Sequence, residues 1–269
     1  MAWETRTEWN LATNPRLTDP YGTIAVPDVA NNLFKQPRLI NSTGAVHNGG
    51  VGEVGTTSYV TGAGDGPLLP GGSRAAEYMR RVVTTERTGG SVGPTGTNVT
   101  TRGFFPGTSG TVVNVLLAVR YTGSRELKPR LRTTLYRADG STSELFDTPS
   151  GEIVMSGSGA WQWVQISATA TNTFSSIGWW LYTLGNLPDQ VQPAGSTWDV
   201  TAVRIWIGAD DGFGFADGNL TDPEGKYAYG WTGTANASTS YLRHAAAASG
   251  MANRVRVLGN LNASFSHPA

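Results

Sequence analysis

The chain has 269 residues, with 20 Lys+Arg against 20 Asp+Glu, a formal net charge of zero and no Cys. Lack of Cys excludes a disulfide framework, an Fe–S cluster, a thiolate zinc site and a Cys nucleophile, and a neutral chain lacks the basic surface that gripping nucleic acid requires. Charged residues make up only 15% of the chain, while aromatic residues reach 10% and include nine Trp, enough large rings to fill a core.

The opening Met1-Ala2-Trp3-Glu4-Thr5-Arg6 lacks the basic-then-apolar order of a secretory signal. No apolar run has the length of a membrane-spanning helix, so no membrane insertion is expected. Residues 22–75 are rich in Gly, Asn and Pro with little alternation, and read as a long loop-rich insertion of the kind that often carries function. Residues 73–81 begin like a helix at Ser73 but run into Val82-Val83-Thr84-Thr85, which reads as strand.

From there apolar residues recur at every second position, the period of a half-buried strand. Val113, Val115, Leu117, Val119 and Tyr121 share one face of a strand, and Leu131, Thr133 and Leu135 one face of the next. Ala138-Asp139-Gly140-Ser141 is a hairpin turn, because Asp-Gly accepts the positive φ of a tight reversal. Val164, Ile166 and Ala168 alternate in a further strand. Val203, Ile205 and Ile207 do the same, with Arg204 and Trp206 facing the other way, and Tyr227, Tyr229 and Trp231 follow. Ala245-Ala246-Ala247-Ala248-Ser249-Gly250 reads as a hinge before a last segment in which Val255 and Val257 alternate with Arg254 and Arg256. Many short strands with Gly-rich turns and no βαβ alternation predict an all-β sandwich.

Two segments together carry a family likeness: Asn10-Leu11-Ala12-Thr13-Asn14-Pro15 near the start, and Asp217-Gly218-Asn219 followed by Tyr229-Gly230-Trp231-Thr232-Gly233-Thr234 and Ala237-Ser238-Thr239-Ser240 near the end. The pairing resembles minor tail proteins of phages infecting actinobacteria, in a jelly-roll domain related to carbohydrate-binding modules. The likeness spans roughly residues 10–243; the 22–75 insertion and the C-terminal extension depart from it. It implies an all-β jelly-roll β-sandwich over 10–244, an N-terminal arm over 1–9 and a C-terminal arm over 245–269. On this reading Arg254, Val255, Arg256, Val257 and Leu258 form an assembly strand that adds to a neighbour's sheet edge. The implied role is a non-enzymatic structural part of a virion, at the tail tip. Its partners would be other virion proteins in a homo-oligomer, trimer or higher, and host cell-wall glycan. A capsid decoration or head-fibre protein, or a dedicated glycan-binding adhesion module, are the alternatives.

Tyr229 and Trp231 are expected to bury their rings between the sheets, and Trp161 and Trp163, which share a face, to lie in the interior. Trp179, Trp180, Tyr182, Arg204 and Trp206 are the candidates for sugar contact or for a protein interface, since aromatic and Arg residues serve both. Asp217, Asn219, Asp222 and Glu224 place oxygens at intervals suggestive of calcium but lack the Gly and terminal Glu of an EF-hand loop; no other cofactor is expected. His47, His244 and His267 have no zinc spacing, and no G-x-S-x-G motif supports a Ser nucleophile.

Overall fold

The computed structural model describes residues 30–35, 37–40, 46–48, 55–86, 91–93, 104–183, 191–235 and 238–245. In chain order the strands are β1 Ala30–Asn32, β2 Val46–Asn48, β3 Gly55–Val60, β4 Tyr78–Val83, β5 Ser91–Gly93, β6 Phe104–Gly107 and β7 Val112–Thr122. They continue with β8 Arg130–Tyr136, β9 Thr142–Asp147, β10 Ser158–Thr169, β11 Phe174–Tyr182, β12 Thr197–Ile207, β13 Tyr227–Trp231 and β14 Ser240–His244. No helix among the described residues is long and apolar enough to cross a membrane.

The strands form an all-β jelly-roll sandwich. One sheet runs β10-β7-β12-β4-β3; the other runs β2-β5-β11-β8-β9, with β6 also paired to β11. All pairings are antiparallel, and Asp139-Gly140 turns β8 into β9 as expected, with Gly140 at φ 82°. The alternation seen in the sequence becomes the core: Val113, Val115, Leu117, Val119 and Tyr121 of β7 meet Leu131 and Leu135 of β8 and Trp179 and Leu181 of β11, all 0–1% exposed. Each aliphatic side chain so buried contributes about 1.5–3 kcal/mol.

In β12 the two faces exchange part-way. Trp198 and Val200 point into the core, then Val203 and Ile205 do. The register explains the change: Thr201 pairs with Ala118 and Arg204 with Leu116, so β12 advances by three residues while β7 advances by two. Ala202 sits in this bulge at φ 53°, the left-handed region that a residue with a Cβ seldom adopts. Asp199 and Thr201, opposite in parity to Trp198 and Val200, therefore face the outer side of the sheet, and beyond the bulge Arg204 and Trp206 do so.

That outer side is partly covered by a third layer. A sheet of order β1-β14-β13 and the loops before β4 and after β12 lie over it. Leu69, Ala75, Phe215 and Leu220 meet Leu116, Ala118, Ala202 and Trp206 in a second apolar cluster, against which Trp161 and Tyr229 pack. Asn32, fully buried, stitches the layers: its side-chain amide donates to Val203 O and Ala216 O, and its Oδ1 accepts from Phe34 N and Ile205 N.

Within the loop-rich 22–75 stretch fall β1, β2 and β3, and β3 pairs with β4 along its whole length. Two expectations change here. Tyr229 and Trp231 do not enter the central core; both are half-buried in the third layer. Trp161 and Trp163 are not interior either. Val164 and Ile166 are the inward residues of β10, so the tryptophans on the opposite parity face outward.

Candidate functional site

Outward-facing side chains of the β10-β7-β12-β4 region build the site from an ionic base. Asp199 on β12 is 1% exposed and takes two guanidinium groups. Arg80 Nε donates to Oδ1 at 2.7 Å and Nη2 to Oδ2 at 2.9 Å, while Arg120 Nε donates to Oδ2 at 2.7 Å. Two cations on one carboxylate leave a positive charge, and Asp65 balances it, accepting from Arg120 Nη1 at 2.8 Å. This hydrogen bond holds the Asp65 carboxyl below the usual carboxylate range.

Asp65 belongs to the glycine-rich turn Gly64-Asp65-Gly66, which folds over this base. Tyr78 OH donates to Asp65 Oδ1 at 3.2 Å, and Trp161 Nε1 donates to the Asp65 carbonyl at 2.7 Å. The Arg120 guanidinium lies over the Trp161 ring at 4.7 Å, and the Tyr78 ring meets Trp161 edge-on at 5.6 Å. Trp161 is therefore fixed on several sides.

Beside this assembly opens a cleft of about 620 Å³, lined by Asp65, Leu68, Arg74, Arg120, Trp161 and Trp163 among others. A second recess of about 320 Å³ continues from it past Leu68 and Trp163 to Gln165 and Phe215. Trp163 is 40% and Leu68 58% exposed, which makes them the large apolar surfaces on offer. Arg74 stands at the rim, its Nη1 donating to Gly66 O at 2.8 Å. An exposed indole flanked by a guanidinium, a carboxylate and a side-chain amide can stack on the C–H face of a sugar while bonding its hydroxyls. Hydrolysis would need a carboxylic acid able to give up a proton, and Asp65, ion-paired to Arg120, is poorly suited to that role.

The other sequence candidates are scattered. Trp179 is in the core at 0% exposure, edge-on to Phe34 at 6.1 Å, so it offers no surface to a ligand. Trp180 and Tyr182, half-buried, share the outer face of the opposite sheet, where Arg130 and Arg132 lie 4.9 and 4.8 Å from the Tyr182 ring. Arg204 and Trp206 do face away from Val203 and Ile205, yet they are 0% and 2% exposed, because the third layer covers them. Arg204 donates to Asn31 O at 2.8 Å and Gly214 O at 2.6 Å, grips Asp211 through both terminal nitrogens, and lies over the Trp206 ring at 4.3 Å. It is a structural clamp.

The four oxygen residues considered for calcium do not converge. Asp217, whose side chain is 0% exposed, pairs with Arg38 and accepts from Asn219 N. Asn219 Oδ1 accepts from Trp231 Nε1 at 3.0 Å. Asp222 accepts from the backbone of Glu224, Lys226 and Tyr227, and Glu224 pairs with Lys226. Among the described residues no group of three or more His, Asp and Glu is placed to hold a metal. The Asp-Gly-Asn motif has another reason: a Cβ on Gly218 would stand 2.4 Å from Trp231 Cδ1. The motif is the seat of that indole.

Residues 1–9, the opening 10–15 motif and the assembly strand Arg254, Val255, Arg256, Val257 and Leu258 lie outside the described residues. The exposed member of the site, Trp163, is one that ring size alone assigns to the core. The signal that separates it is its parity with Gln165 and Ser167, against that of Val164 and Ile166.

Fold and cleft together define a β-sandwich module carrying an aromatic groove on one outer face. No family model matches the chain, and no curated protein matches it. Among solved structures it is similar to an arabinose-bound GH51 α-L-arabinofuranosidase, at 11% identity and TM-score 0.45 over 72% of this chain, and it spans 29% of that enzyme. It is also similar to the CBM22-1 xylan-binding domain from Paenibacillus barcinonensis Xyn10C, at 13% identity and TM-score 0.39, covering 69% of this chain and 97% of that one. A third likeness is to the enzymatically active domain of bacteriophage CBA120 tailspike protein 4, at 8% identity and TM-score 0.40, over 71% of this chain and 22% of that one.

Proposed function

We propose that the protein is a non-enzymatic component of a tailed-phage virion, a minor tail protein at the tail tip, whose Trp163 groove holds host cell-wall glycan. The observation that carries the glycan part is the exposed Trp163 beside Leu68, at the junction of two recesses that also present Arg74, Asp65 and Gln165. Leaving an apolar aromatic face exposed to water is unfavourable, and a ring held there by a rigid strand suits stacking on a flat apolar face. The tail assignment is supported by the paired opening and closing sequence motifs. In the virion, residues 1–9 and 245–269 serve as arms toward other virion proteins, in a homo-oligomer.

The test is binding of labelled protein to isolated actinobacterial cell envelopes, with Trp163→Ala as the variant. Saturable binding of the parent, weakened at least ten-fold (about 1.4 kcal/mol) in the variant with an unchanged melting temperature, is expected. Equal binding by both proteins, or none by either in a multivalent display, overturns the groove. Antibody labelling of virions separates a tail from a capsid position.

A further inference from the structure

The longest sheet edge left open among the described residues belongs to β10. It pairs with β7 on one side and, among the described residues, with nothing on the other. Its twelve residues, Ser-Gly-Ala-Trp-Gln-Trp-Val-Gln-Ile-Ser-Ala-Thr, contain no charge and no Pro, and its one register shift lies at the start, between Ser158 and Trp161, leaving Trp161–Thr169 regular. Proteins ordinarily blunt such an edge with charge, Pro, a bulge or a cover, because its free N–H and C=O groups pair with any passing strand. The edge of the other sheet shows the ordinary remedy: β9 is half as long and carries Glu144 and Asp147.

Between β9 and β10 lies a cleft of about 440 Å³. Phe146, Ile166 and Ala168 give it apolar walls; Asp147 and Glu152 are its charged lining residues, and no Lys or Arg lines it. Asp147 is engaged by Arg130 and Arg132, whereas Glu152 has no cationic partner among the described residues. The seam therefore asks for an extended strand with small apolar residues on one face and positive charge on the other.

We propose that in the free chain, before its arm meets other virion proteins, residues 254–258 of the same chain, Arg254-Val255-Arg256-Val257-Leu258, dock along the open edge of β10. Val255 and Val257 share the parity that suits the apolar walls, and Arg254 and Arg256 the parity that suits Glu152. Reach decides the source. Ala245 N donates to Lys226 O at 2.8 Å, and the Tyr227 ring next to it meets Phe213 edge-on at 5.2 Å. Gly214 and Phe215, the next residues after Phe213, line the recess shared with Trp163 and Gln165 of β10. These contacts link the end of the described chain, through Tyr227, Phe213 and the Phe215 recess, to β10. The eight residues 246–253 span up to about 26 Å when extended. A tether that short gives an effective concentration in the millimolar range, which a second copy does not match in dilute solution.

Hydrogen–deuterium exchange of the full chain tests this, compared with the full-length variants Val255→Asp/Val257→Asp and Arg254→Glu/Arg256→Glu. In the parent the backbone amides of β10 that point away from β7 are expected to exchange at least about ten-fold more slowly than in the Asp variant. The Glu variant falls between them, and the amides of β7 serve as the unchanged internal control of folding. Sedimentation at micromolar concentration is expected to show a monomer in every protection-positive sample. Equal β10 exchange in all three proteins overturns the docking. Protection that rises with concentration alongside a dimer overturns the same-chain source and assigns the edge to a second copy.

Discussion

The Arg120 guanidinium lies 4.7 Å from the centroid of the Trp161 ring. One side chain thus joins the groove wall to the ionic base beneath it, because the same Arg120 bonds Asp199 and Asp65. Stability and the shape of the groove are therefore coupled. Asp199→Ala leaves Arg120, 10% exposed at its side chain, with only the turn carboxylate, while Arg80 at 33% can swing to water. Removing one partner of a buried pair costs about 3–5 kcal/mol, and the freedom of Arg80 puts this case near 3 kcal/mol. Urea denaturation followed by Trp emission checks it; a loss under 1 kcal/mol would mean that the network contributes little.

Acid should loosen the Asp65 turn. Its carboxyl is held below the ordinary value, first by the Arg120 hydrogen bond. A depressed carboxylate adds stability that is fully present above its unfolded value near 3.9 and is lost as pH falls through the folded one. The Asp65 side chain is 59% exposed, so the energy is small and solvent-screened. The effect to follow is local: as pH falls below about 4, Trp161 is expected to lose its clasp and shift its emission. Asp65→Asn removes that acid-dependent step; if the step persists unchanged, another group causes it.

Much of the sandwich is legible in sequence because period-two patterning is a direct consequence of strand geometry. The inward face of β7 and the β8–β9 hairpin follow from it residue by residue. Other features escape it for physical reasons. Alternation assigns Arg204 and Trp206 to the face away from Val203 and Ile205, but it carries no information on whether a third layer covers that face. The bulge at Ala202 is invisible as well, since Ala there gives none of the warning a Gly would. Trp161 and Trp163 mislead through size: large rings suggest a core, and only the inward parity of Val164 and Ile166 shows that they belong outside.

Arg204→Lys tests the clamp that holds the third layer. The planar guanidinium meets Asn31 O, Gly214 O and both oxygens of Asp211 at once. An ammonium keeps the charge but cannot span that set of acceptors. Several buried acceptors lose their donor, at about 1–3 kcal/mol each before relaxation. A fall in stability of about 3 kcal/mol is expected, read by calorimetry, with faster amide exchange in β13 and β14 than in β7. Uniform destabilisation of all strands would show instead that the third layer unfolds only with the sandwich.

Gly66→Ala should open the turn without touching any ion pair directly. A Cβ at Gly66 would lie 1.9 Å from the Ala75 carbonyl oxygen, a backbone atom that is itself fixed because Ala75 N donates to Pro67 O at 2.9 Å. The turn must move, and the Asp65 carbonyl moves with it away from Trp161 Nε1. Gly64→Ala is the matched control, since a Cβ there meets nothing within 4 Å. The Gly66 variant is expected to lose about 1–3 kcal/mol, the usual cost of overpacking, with red-shifted Trp emission and weakened envelope binding. The Gly64 variant should match the parent in all three. Identical behaviour of the two variants would mean that the turn accommodates a methyl group without releasing Trp161, and that the indole is held by Arg120 and Tyr78 alone.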